Sequence, residues 1–451
     1  MRKLITTSAC ITASVLAFAQ TNPAITSWLQ NTTVKGRHYV SGNSTAITDA
    51  SLTANVQSVQ YSANFVYATT QGIPSYVVGP YLDGNPSQAT NQNAIFKFPL
   101  TPVQNTATAV STTGGNIGVF INGAAMFDYR DGVSWKNSTG AYAGGPIGGM
   151  GDGVWNRDAI PAEKAGFDCS KGHPAMGNYH HHQNPSAFDL DLNVISTICN
   201  LYDADGLYAL DSTVHSPLIG FAYDGFPVYG AYAYKNTNGT GGIVRMKSSF
   251  SLRNITVRNT LYTGASVTAG PNVSTIYPLG TFKEDYQYIA PTASDYLDYH
   301  NGRFCVTPEY PAGTYCYFAT VDANWNSAYP YLIGPTFYGT KVAAKVTSIS
   351  EAVTSYTASS TGVNSNSFNE SKVNIFPNPA TDLIAIQIKD LVKENYDVVL
   401  YDVTGKVVEQ KTLYQGSTIV YFDTKTLYSG VYFVKIIVGD NVINKKIIIE
   451  K

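Results

Sequence analysis

Hydrophobic and polar residues alternate in short bursts along most of this chain, and rarely at the spacing of a helix. Val56-Gln57-Ser58-Val59-Gln60-Tyr61 and Asn64-Phe65-Val66-Tyr67-Ala68 carry the period of two of half-buried strands. Ile95-Phe96-Lys97-Phe98 is a third strand, ended by Pro99. From about residue 115, aromatics, glycines and prolines interleave at short intervals, as in Gly118-Val119-Phe120-Ile121-Asn122-Gly123, Gly220-Phe221-Ala222-Tyr223-Asp224-Gly225-Phe226-Pro227-Val228-Tyr229-Gly230 and Tyr329-Pro330-Tyr331-Leu332-Ile333-Gly334-Pro335. Short strands joined by tight turns produce that texture. The best helical stretch is brief, Asp158 to Ala165. Residues 346–372 are rich in Ser, Thr and Asn, lack apolar periodicity and read as a linker. Beyond them the pattern becomes regular. Asp382–Ile388, Val398–Val403, Lys406–Val408, Gly430–Val438 and Lys446–Ile449 give five strands in under 80 residues, the signature of a small β-sandwich of immunoglobulin type. The expected fold class is therefore mainly β: a loop-rich, irregular central domain and a C-terminal β-sandwich.

The N-terminus has another purpose. Arg2 and Lys3 precede an apolar run from Leu4 to Phe18, and Ala17-Phe18-Ala19 is a small-residue cleavage site. Residues 1–19 read as a secretory signal peptide, with Gln20 as the mature terminus. No other stretch has the length of a membrane span, so no transmembrane segment is expected in the mature chain. The expected divisions are then 1–19, a β-rich 20–114, a central 115–345, the linker 346–372 and a terminal domain 373–451.

Composition supports export. Charged residues make up 13% of the chain while Tyr numbers 33 and Gly 39, a profile of ordered loops and strands rather than of charged helices. The net charge of -2 offers no electrostatic footprint for nucleic acid. Of five cysteines, Cys10 leaves with the signal, and four in an exported chain suggest two disulfides. If the hairpin formed by residues 304–307 and 314–317 turns about Tyr310 and Pro311, Cys305 faces Cys316. Cys169 is left to pair with Cys199, bracketing the most distinctive stretch of the protein.

That stretch is Gly177-Asn178-Tyr179-His180-His181-His182-Gln183-Asn184-Pro185. Three of only seven histidines stand together here, and His173 lies just upstream. In an extended backbone His180 and His182 share one face, with Cβ atoms about 7 Å apart, while Tyr179 and His181 point to the other. Two imidazoles so placed converge on one metal ion, and a third donor is sought among His173, His215 and Asp224. Three such ligands with an open position suit copper or zinc. The competing readings are a hydrogen-bonded polar network, and metal-free acid–base chemistry with Asp224 or Asp189 orienting a histidine. His181 is expected at the surface. Tyr202-Asp203-Ala204-Asp205-Gly206 starts like a calcium loop but has Val214 where a glutamate is required. The glycine-rich 144–153 lacks the Lys-Ser/Thr of a phosphate loop, and neither a Gly-x-Ser-x-Gly elbow nor His-Glu-x-x-His occurs.

Two family resemblances emerge from these motifs. The central region resembles the YHYH family. It does so through Asn178, Tyr179-His180-His181-His182, Gln183-Asn184-Pro185, the run His215 to Gly230, Asn301-Gly302-Arg303, Thr307 to Tyr315 and Tyr329-Pro330-Tyr331. The third motif position departs, being His181. Many relatives also have a histidine after the Gly-Thr-Tyr block, where this chain has Cys316. The resemblance implies no particular activity. The terminal domain resembles the type A sorting domain of type IX secretion substrates, through Ile375-Phe376-Pro377-Asn378-Pro379-Ala380, Tyr401 to Lys406, Gly430 to Lys435 and Lys445-Lys446 before the last strand. That resemblance implies handling by the type IX secretion machinery and passage across the outer membrane of a Gram-negative bacterium. The domain is then removed, and the cargo is released or attached to a cell-surface glycolipid. The expected function is an exported protein with a histidine-based metal site. The rivals are a metal-dependent hydrolase or oxidase, and an adhesin with purely structural histidines.

Overall fold

A computed structural model describes residues 22–40, 45–81, 88–145, 150–185, 210, 212–342, 345–357, 373–388, 395–403, 405–414, 417–438 and 441–451. The signal peptide, Cys199, Asp189, the 202–206 turn and most of the expected linker lie outside them. The chain is mainly β and divides into two compact units, 1–357 and 358–451. Among the described residues no helix is long and apolar enough to cross a membrane.

The first unit is organised by an eight-stranded mixed sheet. In chain order its strands are β1 (Asn116–Phe120), β2 (Ala125–Phe127), β3 (His173–Ala175), β4 (Asn178–His181), β5 (Leu218–Ala222), β6 (Pro227–Tyr229), β7 (Gly302–Cys305) and β8 (Thr314–Phe318). Across the sheet they run β3-β4-β2-β1-β5-β6-β8-β7. A helix, α1 (Ala159–Glu163), precedes β3 and is N-capped by Asp158, which accepts a hydrogen bond from Ile160 N. Every residue of β5 is buried, as expected of a strand covered on both faces. The packing leaves no room for a side chain at Gly220, where a Cβ would stand 2.1 Å from Met126 Cε and 2.4 Å from Val119 O.

A five-stranded antiparallel sheet supplies the other side of this core. Its order is Lys345–Val346, Ala94–Pro99, Phe65–Thr70, Val56–Tyr61 and Thr354–Tyr356. The period of two is plain in Ala94–Pro99, where Ala94, Phe96 and Phe98 are buried and the residues between are not. Trp28, Phe98 and Phe221 meet with ring centroids 5.3–6.1 Å apart and join the two sheets into one apolar cluster. Residues 345–356, which take in the start of the stretch expected to be linker, are thus bound into this sheet at two places. Their Ser/Thr-rich composition hides edge strands whose partners carry the apolar residues.

The cysteine hairpin departs from expectation. Thr307 and Tyr310 exchange backbone hydrogen bonds (3.3 and 3.2 Å), so the chain turns on Pro308-Glu309 rather than Tyr310-Pro311. A second turn at Gly313 follows before β8 begins. The resulting register sets Cys305 opposite Thr314 and Cys316 opposite Arg303. The two thiols are diagonal neighbours rather than a facing pair, and both are free. Cys169 is disulfide-bonded, and its partner lies outside the described residues.

The second unit holds a three-stranded sheet (Val373–Phe376, Leu383–Ile388, Ile419–Asp423) and a four-stranded one (Val407–Leu413, Tyr396–Asp402, Gly430–Val438, Asn441–Ile449). Ile384, Ile386 and Phe422 of the first join Val398, Leu400, Val434, Ile436 and Ile447 of the second in a single apolar cluster. Of these strands, Val373–Phe376 and Ile419–Asp423 are the two that alternation alone leaves inconspicuous.

Candidate metal centre

The histidines owe their arrangement to one tight turn. Met176 (φ 51°) and Gly177 (φ 83°) both take positive φ, as a two-residue hairpin turn requires. That turn fixes the register of β3 on β4, with Ala175 opposite Asn178, Pro174 opposite Tyr179 and His173 opposite His180. Cross-strand partners present their side chains to the same face, and so do residues two apart on a strand. His173, His180 and His182 therefore point to one place, and all three are buried. Their ligating nitrogens lie within 4.8 Å of one another. On a tetrahedral zinc, nitrogens at about 2.1 Å from the metal stand about 3.4 Å apart, so the trio needs to close by little more than about 1 Å.

Tautomers sharpen the picture. His180 Nδ1 lies 2.9 Å from Asn178 O, and His182 Nδ1 bonds to Asp128 O. A carbonyl oxygen only accepts, so both Nδ1 atoms carry protons, and each ring in its neutral form presents an Nε2 lone pair. Those two Nε2 atoms are 3.1 Å apart. Glu163, at the end of α1, brings Oε2 to 3.1 Å from His182 Nε2 and 3.3 Å from His173 Nε2. This buried oxygen accepts no well-aligned hydrogen bond. Lone pairs brought this close need a cation or protons between them. Burial, and then the neighbouring His182 and His173, hold His180 well below its ordinary range and so keep it neutral. Burial pushes the Glu163 carboxyl up, but His173 and His182 outweigh it, and it remains an anion. Phe127 stacks on His180 at 3.6 Å, and Phe167 packs edge-on against His173 at 4.9 Å, which keeps water from the inner side. Glu163, 22% exposed, forms the outer side.

The opposite face of β4 is structural. His181 is fully buried, not exposed as expected. Its Nδ1–H donates to Lys171 O (3.1 Å), and its Nε2 lies 2.6 Å from Tyr76 OH, which donates. Beside it Tyr179 donates to Asp168 (2.9 Å). Asp168 also accepts from Gly79, Ser170 and Gly172 N–H groups (2.8, 2.9 and 3.1 Å), pinning three chain segments behind the histidine hairpin.

Two candidate donors lie elsewhere. Asp224 spends its oxygens on Tyr317 OH (2.5 Å) and on the N–H groups of Gly339 (2.7 Å) and Phe226 (3.2 Å), holding residue 339 to the sheet. His215 packs between Tyr229 and Tyr234 and donates from Nδ1 to Ser216 O (2.7 Å). It precedes β5, which is separated from β4 by two strands. Neither belongs to the converging set, the one group of three or more potential ligands found among the described residues. Glu163 is what sequence reasoning missed. The short helix was legible, but no spacing rule links its last residue to a strand ten positions on.

Residues 95–330 match the family of YHYH proteins, more than half of the chain, and the protein belongs to that family. Residues 374–450 match the secretion system C-terminal sorting domain. No curated protein matches the chain. The sorting domain, of the type IX system, makes this a secreted or cell-surface protein. The buried His173, His180 and His182 cluster is a plausible transition-metal site within its YHYH domain.

Proposed function

We propose that the protein carries one transition-metal ion, copper or zinc, outside the cell on Nε2 of His173, His180 and His182, with the Glu163 carboxylate beside it. The observation that carries this reading is the 3.1 Å approach of two Nε2 atoms whose rings have committed their other nitrogen to a backbone carbonyl. The donor set fits. Neutral imidazoles suit both metals, the carboxylate offsets part of the charge, and the carbonyl bonds are the outer-shell support that ligating histidines ordinarily have. The terminal domain serves as a sorting signal, read as an immunoglobulin-like sandwich from the apolar cluster shared by its two sheets. It is removed at the outer membrane, and the remainder is released or joined to a surface glycolipid. An extracellular hydrolase is the second reading. It draws support from Glu163, a carboxylate on the solvent side that could take a proton from metal-bound water.

Elemental analysis of the purified protein beside a His180→Ala/His182→Ala variant tests the first reading. About one equivalent of metal is expected in the wild type and none in the variant, and equal content in both would falsify it.

A further inference from the structure

The eight-stranded sheet holds a second polar cluster at its other edge. Arg303 and Cys305 are two residues apart on β7, and Cys316 is the cross-strand partner of Arg303, so all three share one face. All three are buried. The thiols are free, and as diagonal neighbours on that face each acts on the other's titration. Cys316 Sγ also lies 3.6 Å from Thr314 O. Burial, and then its contact with Cys305, push the Cys316 thiol well up. The Cys305 thiol is lowered by that same contact and, against burial, by the guanidinium of Arg303. Arg303 bonds through its Nη atoms to Lys235 O (3.1 Å), Ser294 O (2.5 Å) and Tyr234 O. Its Nε–H is buried with no hydrogen-bond partner.

A guanidinium with one unsatisfied N–H beside two free thiols favours negative charge on the sulfurs. We propose that Cys305 and Cys316 form a two-coordinate site for a monovalent soft cation, Cu(I) being the biological candidate. Thiolate ligands select such ions. Binding is ligand exchange without redox change. Each S–H bond breaks, two S–Cu bonds form, and two protons leave to solvent. The dithiolate complex carries a charge of minus one, which Arg303 neutralises. A divalent ion would leave the buried guanidinium uncompensated. Glu309, half-buried, accepts from Tyr229 OH (2.8 Å), and its charge reaches Cys316 as the smallest of the surrounding influences.

The test uses the full chain carrying His180→Ala/His182→Ala, so that the histidine centre does not contribute. Titration with Cu(I) under anaerobic conditions, against a chromogenic Cu(I) chelator, should leave one ion per chain. Ag(I), a redox-inert probe, should compete for it. X-ray absorption at the copper edge should read two sulfur neighbours. Adding Cys305→Ser or Cys316→Ser should weaken retention at least 100-fold with far-ultraviolet circular dichroism unchanged. If those variants misfold, the absorption spectrum of the unmutated thiols decides alone. Nitrogen or oxygen neighbours at the copper, unchanged retention without either thiol, or a Cys305–Cys316 disulfide in peptide maps of the exported protein would each overturn the proposal.

Discussion

The two edges of the eight-stranded sheet solve opposite problems with the same geometry. At the β3–β4 edge a cross-strand pair and an i+2 neighbour gather three imidazoles around a carboxylate. At the β7–β8 edge the same two relations gather two thiols around a guanidinium. The first cluster is short of positive charge at its centre, and the second already contains one. Strand pairing thus decides which side chains meet, while the charge already present decides which ion they can accept.

Removing the histidines should separate the edges most sharply. His180→Ala/His182→Ala should lower affinity for Zn²⁺ or Cu²⁺ by more than about 100-fold by equilibrium dialysis. The wild type should gain roughly 3–4 kcal/mol of stability at saturating metal, read as a rise in Tm that the variant lacks. A variant that keeps the rise would place the ion elsewhere. Asp168→Asn comes next, at about 2–4 kcal/mol of lost stability in chemical denaturation, because four donors converge on that carboxylate. Its pH dependence has a definite sign. Burial pushes Asp168 up to about 6 from 3.8, so the native state binds the proton more tightly than the unfolded chain. Its contribution is full below about pH 4 and falls as the pH rises to about 6, and the variant should lose that slope.

His181→Phe should cost about 1–3 kcal/mol by orphaning the Tyr76 hydroxyl and Lys171 carbonyl, yet leave metal affinity within about twofold. A large loss of metal there would erase the distinction between the two faces of β4. Met176→Asn is the mildest. Asparagine tolerates positive φ, so a gain of a few tenths of a kcal/mol, up to about 0.5, is expected in thermal melts.

Much of this was legible beforehand. Alternation marked Val56–Tyr61, the strand ending at Pro99 and most of the terminal domain, because those strands bury mainly one face, although Ala385 and Val399 are buried on the other. The parity of His180 and His182 followed from the same rule and also set His181 apart. What parity could not show was that the second face is equally buried, since that depends on Tyr76, from a segment one hundred residues away. The thiol hairpin failed for a local reason. Moving the turn to Pro308-Glu309 and adding a second turn at Gly313 changed the register, and sequence contains no strong preference between neighbouring turn positions there. Glu163 acts through tertiary contacts that no local pattern encodes, and Asp168 adds Gly79 and Tyr179 to its local bonds with Ser170 and Gly172.

The Met176-Gly177 turn carries one further consequence. Because it sets His173 against His180, the seven-residue interval between them is a ruler. One inserted residue would rotate the upstream imidazole to the wrong side, whereas exchanging the tyrosines nearby would not. Ancestry searches for chains that share this centre are therefore better guided by that interval than by the letters of the motif.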